Sequence, residues 1–216
     1  MKRSALIVSL LLAVIFILSA TGTSLAEHKR WDGYLSFKGG AYFPTGDLED
    51  YDFGTGFNGE IVVGMYANPN LALEFGGGYF RSDASFSDAT GYWEDDDLWV
   101  IPVVINIKGV LPVKAVDLFG GGGLGLYFAN IDVKGYDPDP LIGPFSGDDN
   151  DAIFGGHLLA GFNINLSDRV FIGVEGKYIF TANNRFFCTD ISSTEVSCAK
   201  INLDGFTATG VLGIMF

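Results

Sequence analysis

Few residues in this chain could do chemistry. His157 stands in "FGGHLLAG" (Phe154–Gly161). A histidine works as a general base only beside a nucleophile, usually with an acid to orient it. The next residue is Leu158 and no acidic partner can be placed, so His157 reads as a structural residue. His28 lies near the start of the chain and also lacks a partner. "GGGGLG" (Gly120–Gly125) formally contains G-x-G-x-x-G. A dinucleotide site needs that motif between a strand and the helix it opens. Here the alternation simply continues into "LYFAN", and glycine inside the strand either makes room for lumenal side chains or relaxes the curvature of the sheet. HExxH, G-x-S-x-G and Cys/His clusters do not occur. No catalytic residue, cofactor site or metal centre is therefore expected, and the chain does not read as an enzyme.

Acids are the other candidate. Four segments, Pro44–Gly56, Ser82–Asp97, Asp132–Asp151 and Ala182–Asp204, hold 19 of the 26 carboxylates and only three bases. "EDDD" (Glu94–Asp97), "DPDP" (Asp137–Pro140) and "DDND" (Asp148–Asp151) are the densest runs. Such runs form a hydrated, self-repelling surface. The alternative is a Ca²⁺ or Mg²⁺ site, because hard cations prefer carboxylate oxygens, but no run has the spacing of an EF-hand loop. Aromatic residues among the acids (Tyr51, Phe53, Tyr92, Trp93, Phe145, Phe186, Phe187) suit contact with a partner or with a membrane interface.

The elements that position these residues are legible from parity. In "VFIGVEGKYIF" (Val170–Phe180), Glu175 and Lys177 lie two apart inside an apolar run. A strand places residues i and i+2 on one face, which leaves Val170, Ile172, Val174, Tyr178 and Phe180 on a face without charge. Seven more segments behave likewise: Tyr34–Phe43, Phe57–Tyr66, Leu71–Phe80, Leu98–Gly109, Val116–Phe128, Ala152–Leu166 and Gly205–Phe216. Short connections (Ala67–Asn70, Val110–Ala115, Ser167–Arg169) alternate with the long acidic ones. Antiparallel strands of ~9–11 residues joined in this way form a transmembrane barrel. The expected fold is all-β: an eight-stranded antiparallel transmembrane β-barrel with short periplasmic turns and long extracellular loops.

The mixed faces carry Lys38, Lys108, Arg169 and Lys177 against Glu60, Glu74, Asp117 and Glu175, with His157 on the same side. In hydrocarbon these groups would be costly. Inside a closed barrel they can pair, and eight strands enclose a space that side chains just fill. The expectation is a plugged, ion-paired lumen. A secreted lipocalin-like barrel with the clean face inward is the soluble alternative, but its outer face should be richer in charge.

Lys2 and Arg3, the uncharged run Ser4–Ala20 and the small residues "TGTSLA" follow the order of a secretory signal peptide, with cleavage expected after Ala26. Residues 27–216 then form the barrel domain. Removing Lys2 and Arg3 from the 13 bases leaves 11 against 26 acids, a net charge of −15. That balance argues against nucleic acid, which binds clustered bases. Cys188 and Cys198, an even count in an exported chain, suggest one local disulfide worth roughly 2–3 kcal/mol.

Taken together, "YLSFKGGAYF", "NPNLALEFGGGYF", "DLWVIPVVINIKGVLP", "LAGFNINLSDRVFIGVEGKYIF" and "GFTATGVLGIMF" resemble the eight-stranded outer-membrane barrels of Gram-negative bacteria, the OmpA transmembrane domain, OmpX/Ail and opacity-protein type. The resemblance spans Trp31 to Phe216. It implies a place in the bacterial outer membrane, among its lipid and lipopolysaccharide. It also implies insertion by the barrel-assembly machinery, which reads a last strand ending in an aromatic residue such as Phe216. The expected role is structural or in surface interaction and adhesion, by a monomer whose surface ligand the sequence does not name. A narrow channel or an OmpW-like transporter of small solutes is the alternative. A lipid-modifying enzyme would need His157 to face lipid with a serine and a carboxylate in reach.

Overall fold

The computed structural model describes residues 32–139, 142–182, 184–192 and 195–216; for 184–192 and 195–201 it describes the backbone only. The expected signal peptide and His28 lie outside the described residues.

Period-2 alternation produces strands wherever it occurs, and each strand turns its uncharged parity outward. The strands are β1 (Gly33–Pro44), β2 (Gly56–Asn68), β3 (Leu71–Ser87), β4 (Trp93–Val113), β5 (Val116–Asp137), β6 (Gly143–Asn165), β7 (Val170–Thr181), β8 (Asn184–Ser192), β9 (Glu195–Ile201) and β10 (Gly205–Met215). Eight of them close a ring in the order β1-β10-β7-β6-β5-β4-β3-β2, every pair antiparallel. Closure joins the first and last strands, with Tyr34 opposite Met215 and Pro44 opposite Gly205. No strand edge is left in the membrane-sized part of the wall, which is what a backbone in hydrocarbon requires.

The long connections differ from expectation. Ser82–Asp97 and Asp132–Asp151 are mostly strand: "EDDD" belongs to β4 and "DDND" to β6. Ladder hydrogen bonds pair backbone with backbone, so the sheet continues above the apolar band after its side chains turn polar. β6 has 23 residues against 12 in β7, and β3 has 17 against 13 in β2, so the β3–β6 half of the wall extends beyond the other half, least at β3 and most at β6. The first long connection holds a short helix, α1 (Asp47–Asp50). The fourth contains the separate hairpin β8–β9, in which Cys188 lies directly opposite Cys198. Their side chains, with those of Phe186 and Phe187, lie outside the described residues.

At the long-loop end of the apolar band the outer face carries an aromatic from nearly every strand, including Phe43, Phe57, Tyr79, Phe128, Phe154, Phe180 and Phe206. At the other end the strands meet in tight turns; Lys114, between β4 and β5, takes φ +59 to make one of them. The interior is layered. Tyr34, Tyr66, Ala72, Val110, Phe119, Leu159, Phe171 and Val211 form an apolar cluster at the short-turn end. A larger one fills the long-loop end and includes Tyr42, Phe80, Leu98, Tyr127, Ile131 and Ile153. The polar lumen expected from sequence is therefore a belt between two apolar layers.

Candidate functional site

The belt is built from single inward residues of four strands, β1 to β4, and two from β7. Lys38 on β1 reaches Glu175 on β7 at 2.7 and 2.9 Å. Lys108 on β4 binds the same carboxylate at 2.7 Å and Glu74 on β3 at 2.8 Å, and lies 4.3 Å above the ring of Phe119. Lys38 also stands 3.9 Å from Glu74. Lys177 on β7 grips both oxygens of Glu60 on β2, at 2.5 and 2.7 Å. All six side chains are almost wholly buried, three cations against three anions. Buried charges without partners are expensive, so such a belt persists only because each lysine finds carboxylate oxygens on two sides or in both positions.

Neutral groups complete it. The Tyr34 hydroxyl donates to Glu74 Oε1 at 2.7 Å, and Asn106 Nδ2 donates to Glu74 Oε2 at 2.9 Å. His157 Nε2 lies 2.6 Å from Asn106 Oδ1, and Tyr127 Oη lies 3.2 Å from His157 Nδ1. This set is satisfied by a neutral imidazole protonated on Nε2, which donates to the amide oxygen and accepts from the phenol. His157 is 1% exposed and lies against a tyrosine and an asparagine, and among the described residues no serine and no carboxylate is bonded to it. The lipid-facing geometry of a lipid-modifying enzyme is not what this residue has. Gly123 faces it across the β5–β6 ladder, where an added Cβ would lie 2.6 Å from Nε2. That is the room-making role read for the glycine run.

Two of the nine residues placed in the belt from sequence lie elsewhere. Arg169 is exposed in the tight turn before Val170, where the Ser167 hydroxyl accepts from its backbone N–H. β6 ends at Asn165 and β7 starts at Val170, so parity no longer governs where this side chain points. Asp117 is buried, but near the short-turn end, where Asn165 Nδ2 donates to it at 2.8 Å. Charge balance survives because the misplaced pair was one cation and one anion.

Above the belt the lumen is stoppered by its own loops. Leu48 of α1 and Leu203 are fully buried in the upper apolar cluster, and Phe53 joins them. Phe53 is thus a core residue, not a surface aromatic. Hydrogen bonds fasten the stopper: Asn202 N–H to Asp47 Oδ2 at 3.0 Å, Thr45 N–H to Asp204 O at 2.9 Å, Gly54 N–H to Asp83 O at 2.9 Å. Below the belt, the gap bounded by Tyr34, Ser36, Lys38, Glu74 and Phe119 is of the order of one water molecule. Leu48, Phe53 and Leu203 were beyond sequence reasoning because they lie in connections without periodicity.

The tall β3–β6 sheet brings the acids together. Register sets Asp83, Asp97, Asp132 and Asp148 side by side across four strands on the outward face. Arg81 pairs with Asp97 at the edge of this row. On the opposite face Glu94 and Asp96 look toward Asp50 and Asp52 of the first connection. Burial and the neighbouring Glu94, Asp95 and Asp97 push the Asp96 carboxyl up to about 6. Among the described residues no three of His, Cys, Asp or Glu are arranged to hold a metal ion.

Comparison with solved structures gives the same architecture. Neisserial surface protein A aligns with a TM-score of 0.53 at 16% identity, covering 85% of this chain and 97% of that one. The outer membrane protein OprG from Pseudomonas aeruginosa aligns at 0.59 and 13% identity, covering 88% and 98%. A major outer membrane protein from Thermus thermophilus aligns at 0.54 and 12%, covering 86% and 98%. No curated protein matches the sequence. The outer membrane protein beta-barrel domain matches residues 10–198. With its closed eight-stranded wall, apolar outer band and ion-paired interior, the chain belongs to the outer-membrane β-barrel domain family and resides in the bacterial outer membrane.

Proposed function

We propose that this protein is a closed barrel that holds its lumen shut and offers its acidic extracellular sheet for interaction at the cell surface. The observation that carries this reading is the stack inside the wall: six paired charges between an apolar periplasmic cluster and a loop-built extracellular stopper. A continuous solute path would have to displace Leu48 and Leu203 and separate ion pairs whose members cannot be solvated in place. The same stack favours a non-enzymatic role, since His157 is sealed within it. Planar-bilayer recording of refolded protein tests the reading: we expect no stable large conductance, and a steady open level would replace this reading with the channel.

Export on a cleaved peptide of residues 1–26, insertion through the barrel-assembly machinery by the strand ending in Phe216, a monomeric state and a Cys188–Cys198 bridge belong to the same proposal. The facing register of the two cysteines supports the last. Mass spectrometry of purified mature protein, with and without reductant, checks both the new N-terminus and the bridge.

A further inference from the structure

The inner face of the extracellular sheet has a second character beside its acidity. Phe86 of β3 packs against Tyr92 with ring centroids 6.1 Å apart, and Tyr92 stacks on Phe145 of β6 at 6.2 Å and 28°. Phe145 lies over Gly135 of β5, its register partner, where no larger side chain would leave room for the ring. An aromatic strip thus crosses the sheet, and beneath it a cleft opens between β3–β4 and the Asp50–Asp52 turn.

Among the described residues, every ionisable group lining that cleft other than the tyrosines is an acid: Asp50, Asp52, Glu94 and Asp96. Tyr92 donates its hydroxyl to Glu94. Asp96 Oδ1 is enclosed and accepts no hydrogen bond. Arg81 and Lys134 belong to the other parity and point to the outer face. Tyr51 and Phe86 stand about half exposed at the lip. Aromatic faces attract ammonium and guanidinium groups, and carboxylates complete their solvation. A bare metal ion suits this cleft poorly, because rings make up part of its wall and the acids do not converge.

We infer that the cleft seats a basic segment of a partner protein, lysine or arginine side chains entering between the rings and the carboxylates. This rests on the surface-interaction reading above and gives it a partner class. Glu94 and Asp96, two residues apart on one strand face, stand roughly 7 Å from each other, a spacing that an extended peptide matches with alternate side chains.

The test titrates a labelled oligolysine peptide against the refolded full-length barrel in nanodiscs, read by fluorescence anisotropy. Glu94→Gln with Asp96→Asn is expected to weaken binding at least about tenfold, and Phe86→Ala, which changes no charge, about threefold. Asp95→Asn with Asp132→Asn removes the same charge from the outer face and is expected to change binding less than about twofold. An equal loss from the outer-face pair would reduce the effect to the general negative field and overturn the inference. So would full displacement of the peptide by Mg²⁺ at matched ionic strength, or binding indifferent to Phe86→Ala. Unchanged heat-modifiable migration on gels certifies that each variant is folded. A non-conducting barrel that ignores the peptide sinks this inference alone; a conducting barrel that binds it sinks the closed-lumen reading alone.

Discussion

The lumenal belt and the extracellular sheet use the same residue types in opposite ways. In the belt, three lysines and three glutamates from five strands interlock, almost wholly buried. On the sheet, Asp83, Asp97, Asp132 and Asp148 line up on one face with Arg81 as their cation at the edge. In the low dielectric of the belt every pairing counts and every loss is costly. On the hydrated sheet, repulsion between neighbours is weak and salt-screened, so the row can be tolerated. Burial, not charge content, decides whether an ionic group is structural or free to act.

The most direct way to break the contrast is Glu175→Gln. Both Lys38 and Lys108 bind this carboxylate, and losing it should cost about 3–5 kcal/mol, read from the urea midpoint of barrel unfolding in micelles. Almost no change would mean that water reaches the belt and the lumen is not sealed. Next comes the isolated pair. Glu60→Leu alone should destabilise by a similar order, whereas Glu60→Leu with Lys177→Met should recover most of the loss, because no buried charge then lacks a partner. If the double variant is as damaged as the single, packing and not pairing governs that site.

The sheet should respond in the other direction and more weakly. Asp132→Asn removes the acid between two others and should stabilise by roughly 0.2–1 kcal/mol at low salt, a gain that fades near molar salt. Smallest is a local pH effect. Asp96 is raised to about 6, above its ordinary value, so the native state holds its proton more tightly than the unfolded chain does. Its contribution favours the sheet below pH ~4 and is lost as pH rises through about 6. Carboxyl chemical shifts should show that midpoint, and amide protection factors in β3–β4 should fall across it in the parent but not in Asp96→Asn.

Parity made the wall legible: the outward and inward sets of all eight barrel strands follow directly from the alternation around residues such as Glu175 and Lys177. The six charges of the belt are among the nine residues that inner parity singles out, since a charge there has few places to go. Arg169 and Asp117 are singled out with them but lie elsewhere. Who pairs with whom was not legible. Lys38 meets Glu175 rather than the adjacent Glu60 because strand tilt and stagger set the levels inside the barrel, and no local pattern records them. Strand length above the apolar band was hidden for a different reason: composition changes there while backbone pairing does not, so the upper parts of β4, β5 and β6 read as loops. Arg169 shows the limit of parity itself, which means nothing once the chain enters a turn.

The closing of the ring between the first and last strands has a consequence for assembly. Sliding one strand by two residues keeps every apolar group toward lipid, so the membrane cannot detect that error. The lysines and glutamates can, because a slipped neighbour would strand a charge in a dry interior. Contacts such as Lys38–Glu175, 137 residues apart, form only when nearly the whole chain is in place. A slipped register would thus leave the outer band unchanged and cost the belt its pairs, so the interior carries the alignment of the staves that the lipid face does not.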